Sequence, residues 1–150
     1  MALFKMLTFG EKIEKIEYTS RPAVYGLFFH PENGKVAVIQ TGDGKSFLPG
    51  GGIEAGETHE ECMKREALEE MGTEIELGPF LGQARRYFYS TNEYIYYLSE
   101  GYFYLCEIVR QISLPLDPLD AEAGLFPEHQ GWAVKEAWEK VQCLSKGESK

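Results

Sequence analysis

An α/β fold, with a mixed β-sheet sandwiched between helices, is what the sequence predicts, and three observations lead there. Short apolar runs bounded by turn residues occur on both sides of the chain's centre, a helix with both ends marked stands between them, and a second helical stretch follows near the end. At 150 residues, with 43% hydrophobic and 26% charged content, the chain fits one core. Residues 1–150 are therefore read as a single domain.

The elements follow in order. Strands are expected at Glu11–Tyr18, Ala23–Phe29 and Lys35–Gln40, with turns at Pro31-Glu32-Asn33-Gly34 and Thr41-Gly42-Asp43-Gly44. The central helix is bracketed by Thr58, an N-cap with Glu61 at capping-box spacing, and by Gly72, suited to the left-handed position that closes a helix. At about 100° per residue Met63, Ala67, Leu68 and Met71 form its packing arc. Further strands are expected near Glu74–Leu77, Leu81–Tyr89, Ile95–Leu98 and Tyr102–Ile108, a loop at Leu114–Leu119, and a helix at Gly131–Leu144 after a short strand or bend near Gln130–Trp132.

Charge and cysteine usage exclude several classes. A net charge of −9 argues against a nucleic-acid groove or an anionic membrane surface, since both call for clustered Lys and Arg. No apolar run is long enough to span a bilayer, and the first residues lack the pattern of a cleaved leader. Cys62, Cys106 and Cys143 are odd in number and lack any metal-ligand spacing, which suits a reducing cytoplasm and packing roles. His30, His59 and His129 are scattered and read as structural or exposed.

The chemistry concentrates between Gly50 and Thr73. Glu66, Glu69 and Glu70 stand three and four apart, so a helix gathers them on one face, where mutual repulsion costs a few tenths of a kcal/mol per pair unless a cation faces them. Magnesium is the natural occupant, because it takes one or two carboxylates beside its waters and completes its shell with substrate phosphate. The preceding run from Phe47 to Glu57 carries Gly50, Gly51, Gly52 and Gly56, whose bare backbone lets carbonyls approach a metal and amides approach phosphate. An acidic helix face alone is more often merely solvated, with Glu60–Lys64 and Glu61–Arg65 as ordinary pairs four apart. The joint pattern of glycine loop, arginine, carboxylates and caps is far more specific.

From Gly51 through Glu57, Arg65-Glu66-Ala67 and Glu69-Glu70 to Gly72-Thr73, the chain resembles the Nudix (MutT-like) hydrolase family, departing only in having Ala67 and Thr73 at two aliphatic places. The resemblance implies the family's α/β/α sandwich and cleavage of a nucleoside diphosphate linked to another moiety, by water attack on phosphorus with Mg²⁺ or Mn²⁺. It implies Glu69 and Glu70 as principal metal ligands, Glu66 as a further ligand or the base, Gly50 or Gly51 as a carbonyl ligand, and Glu57 paired with Arg65 to hold loop against helix. Glu93, Glu100, Glu107 and Glu122 lie outside this box and are alternatives for an extra ligand or base.

Substrate identity is carried by weaker signals. Tyr87, Tyr89, Tyr94, Tyr96, Tyr97, Tyr102 and Tyr104 crowd one segment, and aromatic faces hold bases by stacking. Within the family, dinucleoside polyphosphate hydrolases tend to carry a tyrosine past the box, where Tyr89 falls. ADP-sugar pyrophosphatases carry a proline there, and none occurs between Pro79 and Pro115. Tyr89 and Tyr87, with Arg85 and Arg86 toward phosphate, are the substrate-binding candidates. A dinucleoside polyphosphate or related nucleotide is the first reading. A house-cleaning pyrophosphatase for oxidised or non-canonical triphosphates is the second, and a catalytically idle nucleotide sensor the third. The partner expected is a small nucleotide, with no nucleic-acid polymer and no membrane, and with a homodimer left open.

Overall fold

The computed structural model describes residues 5–29, 34–40, 45–111, 119–121 and 128–145. The turns expected from Pro31 and from Thr41, most of the loop expected at Leu114–Leu119, and His30 and Glu122 lie outside these residues. The elements are β1 (Lys5–Phe9), β2 (Thr19–Leu27), β3 (Val36–Gln40), β4 (Ser46–Phe47), β5 (Gly50–Gly52), α1 (His59–Met71), β6 (Thr73–Ser90), β7 (Ile95–Gln111), β8 (Leu119–Ala121) and α2 (Glu128–Ser145).

A five-stranded sheet runs in the order β1-β6-β7-β2-β5 and a three-stranded sheet in the order β4-β3-β8. The larger sheet is mixed: β1 lies parallel to β6 and β2 parallel to β7, whereas β6–β7 and β2–β5 are antiparallel. Because side chains alternate along a strand, its two faces bury different sets. Val24 and Cys106 pack with Cys62, Met63, Ala67 and Met71 of α1. Leu27 and Phe103 pack with Ala133, Val134 and Ala137 of α2. The expected α/β arrangement of sheet between helices is present.

Helix α1 is bounded as its sequence requires. The Thr58 hydroxyl accepts from the Glu61 amide at 3.1 Å, and the Glu61 carboxylate accepts from the Thr58 amide at 2.9 Å, closing the capping box. Gly72 ends the helix at φ 61°. Its packing arc is rotated from the expected one: Leu68 is 49% exposed, and Cys62 is fully buried instead. The helix lies against β5 and β2 on the Cys62 side, so the arc is centred between Met63 and Ala67, and Leu68, about 100° further round, faces outward.

Several boundaries also differ from expectation. The strand expected at Glu11–Tyr18 is absent. That stretch is irregular, turns at Glu14 and Lys15, and has its Ile13 amide on the Tyr18 hydroxyl at 2.9 Å. The strand lies earlier, as β1, where β6 supplies a ladder partner from far along the chain. The strands expected at Glu74–Leu77 and Leu81–Tyr89 are one strand, β6, and those at Ile95–Leu98 and Tyr102–Ile108 are one strand, β7. The register shifts between Glu74 and Ile75 and twice between Leu77 and Gly82, where Gly78 and Gly82 fall, without ending the ladder. Helix α2 starts at Glu128, so the strand or bend expected near Gln130–Trp132 is helical instead.

Gly72→Ala forces a Cβ into the left-handed region and should lower the unfolding free energy by about 1 kcal/mol, read from urea melts. An unchanged midpoint would contradict the assigned cap.

Candidate active site

The glycine edge and the acidic helix meet at β5. Antiparallel pairing sets Tyr25 opposite Gly50, Val24 opposite Gly51 and Ala23 opposite Gly52, which places β5 at the border of the larger sheet with α1 beside it. The Gly50 amide donates to Glu70 Oε1 at 2.9 Å. A Cβ on Gly51 would stand 2.5 Å from Glu66 Oε2, so the missing side chain is the seat of the Glu66 carboxylate. Gly50 has φ 143°, and a Cβ there would stand 2.1 Å from the Val24 carbonyl oxygen. Only glycine fits at Gly50, and at Gly51 a side chain would displace the Glu66 carboxylate.

Arg65 organises the remainder. Its Nε donates to Glu57 Oε2 at 2.6 Å and its Nη2 to Glu57 Oε1 at 3.1 Å, a bidentate pair. Nη2 also donates to the Gly52 carbonyl at 3.0 Å, while Nη1 reaches Glu66 Oε2 at 3.1 Å and Glu69 Oε1 at 3.3 Å. The Glu54 amide donates to Glu57 Oε1 at 2.9 Å, which fastens the loop back onto itself. Glu61, expected as a partner of Arg65, instead serves the cap, while Glu60–Lys64 pairs at 3.1 Å as expected.

These contacts pull the carboxylates apart in acidity. The Arg65 hydrogen bond, with the Glu54 amide beside it, holds Glu57 down at about 2. Burial pushes Glu70 up to about 7, against the Gly50 hydrogen bond and with repulsion from Glu66 and Glu69 adding to the rise. Arg65 is held above its ordinary value, chiefly by its bond to Glu57. Glu69 stays largely exposed beyond the helix.

Among the described residues no three His, Cys, Asp or Glu side chains converge into a metal cage. Glu66 and Glu69 are turned onto Arg65, and Glu70 onto the Gly50 amide. The donor set nonetheless fits a hard divalent cation. It offers carboxylate oxygens on adjacent turns and a glycine seat with no Cβ to obstruct it, and magnesium asks for no more than one or two carboxylates.

The structure divides the four substrate-binding candidates. In the β6–β7 ladder, Arg85, Tyr87 and Tyr89 share the sheet face of Tyr102, the face that α1 covers, whereas Arg86 lies on the α2 face. Arg85 Nε is 4.0 Å from Glu100 Oε2, and Tyr87 packs edge-on against Tyr18. Tyr89 is 43% exposed and packs on Tyr96. Tyr96 is ~20 Å along β7 from Tyr102, the residue on the same rung as Gly51, at about 3.3 Å per residue. Glu93 lies 3.7 Å from Arg21, Glu100 accepts from the Ser20 hydroxyl at 3.0 Å, and Glu107 is exposed, so none of these joins the carboxylates of α1.

Two residues near the site were not singled out from sequence. Tyr25 sits on the α2 face, stacked on Phe103, and its hydroxyl is raised by burial and by the nearby Glu70 and Glu66 charges. Arg21 lies on the same strand, over the Tyr97 ring at 4.1 Å. The signal for both is the strand register of β2, which the sequence alone does not fix.

The model of the NUDIX domain matches residues 19–144, so the chain belongs to the Nudix family. That membership makes it a pyrophosphohydrolase of the Nudix type, acting on phosphorus-containing anhydrides. Solved structures agree in fold. An ADP-ribose pyrophosphatase from Streptococcus suis matches with a TM-score of 0.59 at 15% identity, over 83% of this chain and 93% of that one. The MutT protein from Methanosarcina mazei Go1 matches with a TM-score of 0.60 at 19% identity, over 88% and 99%. A UDP-X diphosphatase matches with a TM-score of 0.56 at 17% identity, over 89% and 66%. None of the curated proteins compared matches the chain. No helix of the described residues is long and apolar enough to cross a membrane.

Because the Glu57 value is depressed below its ordinary 4.5, the Glu57–Arg65 pair contributes stability above that value and loses it as pH falls toward about 2. Arg65→Lys, which cannot keep the bidentate geometry, should melt at lower temperature than wild type at neutral pH. The gap between the two melting curves should close on acidification. A gap that persists unchanged at the lowest pH would show that the pair is not its origin.

Proposed function

We propose that this chain is a Mg²⁺-dependent hydrolase that cleaves a pyrophosphate bond in a nucleoside diphosphate derivative, a dinucleoside polyphosphate or related nucleotide, by water attack on phosphorus. The observation that carries this reading is the seating of Glu66 and Glu70 on Gly51 and Gly50, with Arg65 clamped to Glu57 behind them. Glu69 and Glu70 would hold the ion, with Glu66 and a Gly50 or Gly51 carbonyl as further ligands. A bound divalent cation neutralises phosphate charge and lowers the pKa of its water.

The chain's own groups supply the rest. Burial holds Glu70 toward its protonated form when no cation is near, which a bound divalent ion would reverse, and Glu66 is the further ligand or the base that takes the proton of the attacking water. The Gly50 amide orients the Glu70 carboxylate, and Arg65 holds Glu66 and Glu69 close while its own position is set by Glu57 and the Gly52 carbonyl. Phosphoryl transfer asks mainly for such positioning and charge neutralisation.

Helix α1 covers the sheet face beside Gly51 and α2 packs on the opposite face, which leaves the β5 border as the approach for substrate. Arg86, on the α2 face, is proposed as a substrate contact. Tyr87, Tyr89 and Arg85 lie across the sheet from it, and this reading gives them no role at the phosphate. The second substrate reading, a non-canonical nucleoside triphosphate, uses the same carboxylates.

A nucleotide library screened with Mg²⁺ and with Mn²⁺, with both products identified, tests the assignment. Turnover should vanish with a chelator and return with added Mg²⁺. Glu70→Gln should lower kcat by at least about a hundredfold with an intact fold by circular dichroism. Near-normal turnover of Glu70→Gln at saturating Mg²⁺ would remove Glu70 from the chemistry.

A further inference from the structure

A second constraint reaches the glycine border from α2. Gln130 is the third residue of that helix, and at about 100° per residue it shares a helix face with Val134 and Ala137, which pack in the core together with Leu48. The position calls for an apolar side chain, yet it holds an amide that is only 2% exposed. Burying an amide is unfavourable unless it is hydrogen-bonded, and the bond is present: the Leu48 N–H donates to Gln130 Oε1 at 2.9 Å. An N–H donor is met only by the oxygen of a carboxamide, so this contact also fixes which way the amide is turned.

Leu48 is where such an acceptor is needed. Phe47 ends β4 in the three-stranded sheet, paired with Ile39, and Gly50 begins β5 in the five-stranded sheet, paired with Tyr25. The chain passes from one ladder to the other through Leu48 and Pro49, both buried. Proline has no N–H to satisfy, but the Leu48 N–H lies between ladders, and a buried backbone donor needs a partner. Gln130 supplies it from 82 residues along the chain.

Three successive residues are thereby held by three different elements. Leu48 is held by Gln130 of α2, the Pro49 carbonyl accepts from the Gly26 amide of β2 at 2.9 Å, and the Gly50 amide donates to Glu70 of α1 at 2.9 Å. The fixed φ of Pro49 leaves few backbone torsions between Leu48 and Gly50 to absorb a displacement. A shift at Leu48 is therefore passed on to Gly50.

We infer that Gln130 is a positioning residue for the reaction: through Leu48 and Pro49 it sets where the Gly50 amide and carbonyl stand, and through that amide where the Glu70 carboxylate stands. The part that Gly50 and Glu70 play at the ion rests on the hydrolase reading above, but the tether itself does not. A purely structural Gln130 would add stability and nothing else. A positioning Gln130 acts on the Gly50–Glu70 contact beyond whatever stability it adds, as groups behind a metal's own ligands do when they orient them.

The test compares three variants with wild type, each first shown by thermal melting to be folded. Gln130→Met keeps the length of the side chain and removes the acceptor, Gln130→Glu restores an oxygen at the same place, and Val134→Ala destabilises the same helix face while leaving the Leu48 bond. Amide hydrogen exchange of the metal-free proteins, set against each variant's own unfolding free energy, reads the tether. The Leu48 and Gly50 amides should exchange about tenfold or more faster in Gln130→Met, return toward wild type in Gln130→Glu and stay protected in Val134→Ala. Titration with Mn²⁺, followed by water proton relaxation, should show the ion bound about tenfold more weakly by Gln130→Met and unchanged by Val134→Ala. With the best library nucleotide at saturating Mg²⁺, Gln130→Met should lose about tenfold in kcat with KM within about twofold. Unchanged Gly50 exchange and Mn²⁺ affinity in folded Gln130→Met, or equal losses in Val134→Ala, overturn the positioning role. A rise in KM with kcat kept would place Gln130 against the substrate and overturn it too. If Gln130→Met does not fold, Gln130→Asn, whose oxygen falls one methylene short, is read in its place by the same criteria. If no nucleotide is turned over at all, the hydrolase reading fails while exchange and Mn²⁺ binding still decide the tether.

Discussion

The bidentate contact of Arg65 with Glu57 is the constraint on which the site depends. Without it the loop from Ile53 to Thr58 would be fastened mainly by the cap of α1 and by the backbone of β5. With it, one guanidinium ties the loop, the Gly52 carbonyl and two helix carboxylates into a single unit. Both charges are partly enclosed, so the bond is screened less than an exposed pair. The cation also lies where Glu66 and Glu69 would otherwise repel each other, which lets the sequence keep its acidic helix face before any metal arrives.

The glycines have a complementary task. Arg65 brings charge in from behind, and Gly50 and Gly51 remove steric bulk in front, so carboxylates reach the sheet border and touch backbone. The cost is a desolvated Glu70 with its raised proton affinity. A site that concentrates negative charge and then partly buries it is ready to release that stress to a cation.

How much of this was legible in sequence depends on the range of the interactions involved. The cap at Thr58, the closing Gly72 and the Glu57–Arg65 pair are set by neighbours within a few residues, and local spacing announces them. Ile13, Ile16 and Tyr18 alternate with charges like a half-buried strand, while the real first strand is chosen by β6, far along the chain. β6 and β7 were each divided because a glycine in sequence looks like an end, and only the ladder shows that Gly82 and Gly101 continue it. Arg21 and Tyr25 escaped notice for the same reason: their proximity to Glu70 and Arg86 is a matter of register, and nothing local encodes it. Leu68 faces outward although its helical angle suits the packing arc, because angle alone does not say on which side of the helix the sheet lies.

The central claim is that the carboxylates of α1 leave Arg65 and gather a divalent cation at the glycine border. Paramagnetic broadening tests it most directly, by titrating Mn²⁺ into isotope-labelled protein and following backbone amide signals. The account predicts that the amides of Gly50, Gly51 and Gly52 and of Glu66 through Glu70 broaden first, that excess Mg²⁺ restores them, and that Glu70→Gln shifts the broadening to far higher Mn²⁺. Broadening centred elsewhere, or unaltered by Glu70→Gln, would contradict it.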